Sequence, residues 1–302
     1  MITTYDHFAN SSFLLWLSNL LNGKGQAIAS GSGFFYDTQE VYGGRFSYSS
    51  PFRPFIADSG IPGMKVQETS AKNANIISGV YLDGIFIRTG QSGLTGINYE
   101  KGTVYFISGL TYANNSAHGR LSGNFVVSDF SFKLTNEPEE NLLFETKYSL
   151  KPRVNQTITG LGPSDATYPI IYVKPLQSRN KEWAFGGTEE TINTYRLIVL
   201  ADSQFQLDGA TSLIRDKVRC VLPLLTGVSE MPFNAFGGYS DKTYYYNTVF
   251  TGKFSTSNSA VLTDVRVTRI INQGMNELKR INPKVFPGIV DVDISNYRTP
   301  RT

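Results

Sequence analysis

The sequence predicts an α+β fold: a small antiparallel β domain, then a mixed α/β domain built on a central strand-helix unit, with extended arms at both ends. Three observations carry this. Of 302 residues only 18% are charged, while 28 are Gly, 17 Tyr and 20 Phe, which favours β structure over helical bundles. Residues 76–134 contain two hairpin signals, and residues 192–225 read as a buried strand followed at once by an amphipathic helix. A chain of this length is expected to form more than one domain. The expected division is 1–75 (helix and interface arm), 76–155 (antiparallel β), 156–290 (ring-forming α+β) and 291–302 (extended tail).

Near the start, Asn10, Ser11 or Ser12 can cap a short helix over Phe13 to Leu21, which Asn22-Gly23 would end. That helix is apolar nearly all round, so it must dock, either on its own body or on a neighbouring subunit. Acidic Asp6 precedes the run and no basic segment does. The run is also short for a bilayer span, so no export signal and no membrane partner are expected.

From Gly25 to Pro62 the chain is rich in Gly, Ser, Pro and aromatics without sustained periodicity. It reads either as an arm ordered by a partner or as an irregular connection packed by its own rings. Next, Asp83-Gly84 sits between Val80, Leu82 and Ile85, Ile87, and Glu100-Lys101-Gly102 sits between Ile97, Tyr99 and Val104, Phe106. Both are hairpin patterns, because Gly and Asp tolerate the positive φ angles of tight turns. Further strands are expected through Leu121 to Leu134, and a turn or short helix at Glu137-Pro138-Glu139-Glu140.

Asn155 to Asp165 is turn-rich and marks a boundary. Beyond it come a strand at Tyr168 to Val173, a loop through Gly186-Gly187, and the apolar strand Tyr195 to Leu200. The helix that follows, from Leu207 to Leu222, stops near Pro223. Val261 to Ile271 alternates as a strand. In IVDVDIS, Asp291 and Asp293 share one strand face with Ile289 while Val290, Val292 and Ile294 take the other. Pro283, Pro287 and Pro300 together with SNYRTPRT read as an extended tail whose Arg298 and Arg301 can reach another chain.

Chemistry has few candidates. Asp202 at the carboxyl end of the buried strand, with Asp208 and Glu189-Glu190, could serve a hydrolase, a metal or a nucleotide, but a helix cap is the stronger reading of Asp202 and Ser203. His7 and His118 are the only histidines for a triad, and no phosphate-cradling Gly motif is present. Cys220 is the single cysteine, which excludes an internal disulfide, and its apolar surroundings suit packing. A net charge of +3 does not demand nucleic acid, although Arg266, Arg269, Lys279, Arg280 and Lys284 form a basic cluster that could face DNA. Tyrosines such as Tyr244-Tyr245-Tyr246 would suit a glycan surface, but aromatics in a β-rich protein first fill cores.

Four passages together, GVYLDGIFIRTGQSGLTGINYEKGTVYF, DFSFKLTNEPEENLLFETKYSLKPR, AFGGTEET and YRLIVLADSQFQLDGATSLIRDKV, resemble virion proteins of large contractile-tailed bacteriophages over residues 76–225. The resemblance implies a non-enzymatic neck or tail component with a tail-terminator-like domain and no cofactor. Such a chain would be made in the host cytoplasm, would form a homo-oligomeric ring docked to other neck or tail proteins, and would touch genomic DNA passively if at all. A ring subunit needs broad apolar contacts, for which Phe13, Trp16, Leu17, Phe34, Phe35, Tyr36, Phe52 and Phe55 are the candidates, joined by Arg298 and Arg301. The alternatives are a β-rich tail appendage that binds a host glycan and a carboxylate-dependent hydrolase.

Overall fold

The computed structural model describes residues 5–24, 27–50, 52, 54–61, 76–110, 121–143, 149–152, 165–225, 243–250, 259–269 and 285–299. The chain begins with helix α1 (Tyr5–Gly23), longer at its start than the sequence suggests. The polar residues that look like caps lie inside it, and two of them, Asn10 and Ser12, reach distant residues. Ser12 donates to the Phe8 carbonyl at 2.6 Å and accepts the Leu225 N–H at 2.8 Å, while Asn10 accepts the Tyr195 hydroxyl at 2.8 Å.

Strands β1 (Ala27–Phe34), β2 (Tyr36–Tyr42), β3 (Arg45–Ser49), β4 (Gly79–Leu82), β5 (Ile85–Arg88), β6 (Leu94–Asn98), β7 (Thr103–Phe106) and β8 (Leu121–Ser128) form two four-stranded sheets. Their orders are β1-β8-β4-β5 and β2-β3-β7-β6, and every pair is antiparallel. Both expected hairpins are present. Asp83 and Gly84 have φ of 51° and 83°, the two positive values of a tight two-residue turn. One shared core holds Phe35, Tyr48, Phe55, Val80, Ile97, Val104, Phe106 and Phe125. Phe55 lies 4.5 Å from Phe125, ring centre to ring centre, and Phe35 meets both rings edge-on.

Within the expected helix and arm of 1–75, the described residues 27–49 are folded into three strands. Phe35, Tyr48 and Phe55 of the aperiodic chain fill the sandwich core, their period-2 signal broken by Gly and Ser. Gly79 shows how tightly the strands close. A Cβ there would collide with the Ile87 carbonyl oxygen and come within 2.7 Å of the Phe86 ring, so Gly79→Ala is expected to cost about 1–3 kcal/mol in a urea titration.

The chain leaves the sandwich at Ser128 and enters a six-stranded sheet, hereafter the second sheet, within three residues. This second part comprises β9 (Ser131–Leu134), α2 (Glu139–Leu143), the short parallel pair β10 (Ser149–Pro152) and β11 (Asp165–Tyr168), β12 (Ile170–Ala184), β13 (Thr188–Ala201), α3 (Gln204–Arg215), β14 (Val221–Pro223), α4 (Tyr246–Val249), β15 (Ser259–Arg269) and β16 (Phe286–Arg298). The six-stranded order is β14-β15-β16-β13-β12-β9, with only β9 and β12 parallel. As the sequence predicts, β13 is buried on both faces. Leu197 and Val199 pack under α1 and α3, whereas Ile198 and Leu200 join Leu142 of α2, Tyr168 and Val285.

Two expectations fail here. The terminal segment is not an extended tail as far as Arg298, because β16 lies inside the sheet between β15 and β13, with Val290, Val292 and Ile294 buried. The helix after β13 ends at Arg215, and Val221 and Leu222 belong to β14, so their apolar spacing is that of a turn and a strand. Cys220 therefore stands between helix and strand, and burial pushes its thiol pKa up.

The sandwich and the six-stranded part meet α1 at a polar junction. Asp58 is 4% exposed and accepts from Asn19 Nδ2 at 2.9 Å, the Gly60 N–H at 2.7 Å and the Tyr246 N–H at 3.0 Å. Close by, Ser128 donates to Asn22 of α1 at 2.7 Å.

Candidate interaction surface

Several exposed apolar side chains of the six-stranded sheet, Trp183 and Phe185 foremost, lie on one projection, while Phe205 of α3 and Val221 of β14 are exposed elsewhere. β12 runs 15 residues and β13 runs 14, joined by a turn at Phe185-Gly186-Gly187 in which the glycines take φ of 106° and 86°. β9 flanks β12 only from Ile170 to Val173. Beyond that point β12 pairs with β13 on one side, and among the described residues no strand pairs with the other. Burial falls accordingly: Leu176 is 41% exposed, Trp183 59%, and Phe185 at the tip is completely open to solvent. Pro175 sits at the register shift where β12 leaves the body, a site that tolerates a residue lacking an N–H donor.

The arm has two different faces. Toward α1, Asn193 donates to Asp6 at 3.1 Å, Tyr195 to Asn10, and Arg298 to Thr191 at 2.7 Å. The Arg298 guanidinium also covers the Tyr5 ring at 4.1 Å, so this arginine is spent inside the fold. Burial pushes the Tyr5 phenol from 10.0 up to about 12, and burial raises Tyr195 and Tyr246 further still. The fold therefore favours neutral phenols. The contribution of Tyr5 is complete below pH 10 and is lost as pH rises through about 12, so phenolate absorbance and loss of far-ultraviolet circular dichroism should rise together in that window.

The opposite face carries ion pairs and then aromatics. Arg196 donates to both oxygens of Asp291 at 2.7 and 2.9 Å and to Glu139 at 2.7 Å, contacts that raise its already high pKa. Asp293 accepts from Thr194 at 2.7 Å. Further out, the Trp183 ring lies 4.6 Å from Tyr297, itself 40% exposed.

The residues singled out from sequence are scattered. Phe13, Trp16, Leu17, Phe35, Tyr36 and Phe55 are core, whereas Phe34 (47%) and Phe52 (38%) are exposed on the sandwich. Arg301, Lys279, Arg280 and Lys284 lie outside the described residues, as does the Arg269 side chain. Arg266 pairs with Asp264 at 3.1 Å and approaches Asp293 at 3.9 Å, so its charge is locally balanced. Tyr246 is buried against Phe250, and Tyr245 is exposed.

The acidic constellation does not assemble. Glu189-Glu190 begin β13 and Asp202 follows its end, about 40 Å away along an extended strand. Ser203 caps α3 as expected, its Oγ accepting the Gln206 N–H at 3.2 Å, and Asp208 accepts from Gln204 at 3.0 Å. His118 lies outside the described residues. Among those described, no group of His, Cys, Asp and Glu could hold a metal, and no helix is long and apolar enough to cross a membrane.

The sequence shows a loop through Gly186-Gly187 where the structure has a hairpin tip. The flanking Gln177-Ser-Arg-Asn-Lys-Glu182 buries neither face, so it carries no period-2 hydrophobic signal. No protein-family model matches the chain, and no curated protein matches it in sequence.

Proposed function

We propose that this chain is a non-enzymatic structural subunit of a tailed-phage virion. It would assemble by ring-type self-association in the neck or tail and dock to neighbouring rings, in a tail-terminator or head-tail joining role. The observation that supports this is the β12–β13 arm, which leaves the body with Trp183 and Phe185 in solvent. Each such ring buries on the order of 150–250 Å² when covered. An exposed aromatic arm meeting a different patch on the next subunit is a heterologous contact, the kind that closes rings. The phage setting rests on the resemblance of residues 76–225.

The test is sedimentation velocity over a concentration series. The parent chain is expected to form higher oligomers. Trp183→Ser with Phe185→Ser should keep its circular dichroism and change stability by less than about 0.5 kcal/mol, yet stay monomeric. Oligomers undiminished in that variant would exclude the arm as the contact, and a parent chain that stays monomeric and builds no ring would sink the reading. The Trp183 and Tyr297 pair also favours a second reading, a tail appendage stacking a host-surface glycan. A glycan panel bound by the parent and lost in Trp183→Ser would support that reading instead.

A further inference from the structure

We propose that the outer edge of β12, Leu176–Ala184, is a docking strand for an extended acidic segment of a different protein, which would add to the six-stranded sheet as one more strand. This deepens the assembly reading, on which it rests only for the setting, by naming what the arm's edge takes.

Among the described residues the edge is unpaired over nine positions, about 30 Å of strand, because β9 stops opposite Val173. Its outward N–H and C=O groups form a ready template for pairing. An edge of this length is ordinarily blunted, and here the blunting is selective. Pro175 guards only the root, while the cations Arg179 and Lys181 stand in the middle.

Those cations disfavour a second copy in the registers centred on the middle of this edge. Antiparallel pairing of a strand with its own copy runs about a two-fold axis through one residue. Centred on Asn180, it sets Arg179 opposite Lys181 twice. Centred on Arg179 or Lys181, it sets identical cations face to face. Like charges directly opposite destabilise a pair.

A carboxylate-bearing strand meets no such conflict. Gln177, Arg179, Lys181 and Trp183 alternate along one face, beside Tyr297. Lys181 stands across from Glu190, but Arg179 stands across from Ile192, and among the described residues no carboxylate pairs with it. The fitting partner carries carboxylates at alternate positions opposite Arg179 and Lys181 and an apolar residue beside Trp183. The chain's own alternating segment, Asp291-Val292-Asp293, is already consumed inside the sheet.

The arm carries its own reporter. Of the two tryptophans, Trp16 is 9% exposed and Trp183 is 59% exposed. The full-length chain is titrated with a nine-residue capped peptide alternating Asp with Val, with its lysine counterpart, and with the acidic peptide N-methylated at alternate amides. Tryptophan emission and sedimentation are read in the same samples. Expected is a saturable blue shift with the acidic peptide alone, weakened at least tenfold by N-methylation and by R179E with K181E, and absent in W183F. The milder pair R179Q and K181Q should weaken it to an intermediate degree.

No saturable shift, equal binding of the N-methylated or lysine peptide, or undiminished binding by the charge-reversed variant would overturn the proposal. So would homo-oligomers that S178P dissolves and the acidic peptide does not, since the edge would then belong to a second copy. Oligomers that persist without peptide binding defeat this inference and leave the assembly reading standing. Peptide binding by a chain that stays monomeric does the reverse.

Discussion

Phe13→Ala is expected to lower the unfolding free energy by about 4 kcal/mol, the cost of removing a fully buried aromatic ring and leaving a cavity. The Phe13 ring stacks on Tyr195 at 4.5 Å and on Trp16 at 5.8 Å, and none of its surface reaches solvent. It therefore joins α1 to the central strand of the second sheet. Urea unfolding followed by circular dichroism measures the loss, and Phe13→Leu should restore more than half of it because the cavity shrinks. A change below about 1 kcal/mol, accompanied by lost oligomers, would mean that α1 serves a neighbour and not its own body.

Asp58→Ala is expected to cost about 3 kcal/mol, because it strands three donors that are satisfied by one buried carboxylate. Each donor belongs to a different place: α1, the sandwich's own loop, and α4. The loss should accordingly uncouple the two sheets. Hydrogen exchange is the informative measurement, with amides of β8 expected to open at a lower free energy than those of β13 in the variant, and the two opening together in the parent. Asp58→Asn keeps an acceptor oxygen and should recover part of the loss. Equal protection of both sheets in Asp58→Ala would show that the apolar contacts alone couple them.

The expected cores and the observed ones agree where a segment's environment is uniform. Tyr195 to Leu200 is apolar at nearly every position because both faces of β13 are covered, and no other strand arrangement hides such a run. The Asp83-Gly84 hairpin is legible for a local reason, since few residue pairs accept two consecutive positive φ angles. The candidate surface was far less legible. Gln177 to Glu182 is polar throughout, and Trp183 and Phe185 look like any other aromatics in a chain with 20 Phe and 17 Tyr. In the opposite sense, Phe35 and Phe55 resemble arm residues in sequence but fill the sandwich.

By itself the sequence determined the strand-helix unit of β13 and α3, the two tight hairpins, the α+β character and the facing of Asp291 and Asp293 away from Val290, Val292 and Ile294. These follow from backbone preference and local periodicity, which act over a few residues. Only the tertiary structure decided that residues 27–49 complete a sandwich, that β16 runs inside the sheet, that Glu189 and Asp202 stand at opposite ends of one strand, and that β12 outruns its neighbour to leave an open edge. Those outcomes depend on which distant segments pair. Pairing is chosen by total burial and hydrogen bonding across the whole chain, quantities that no short window of sequence contains.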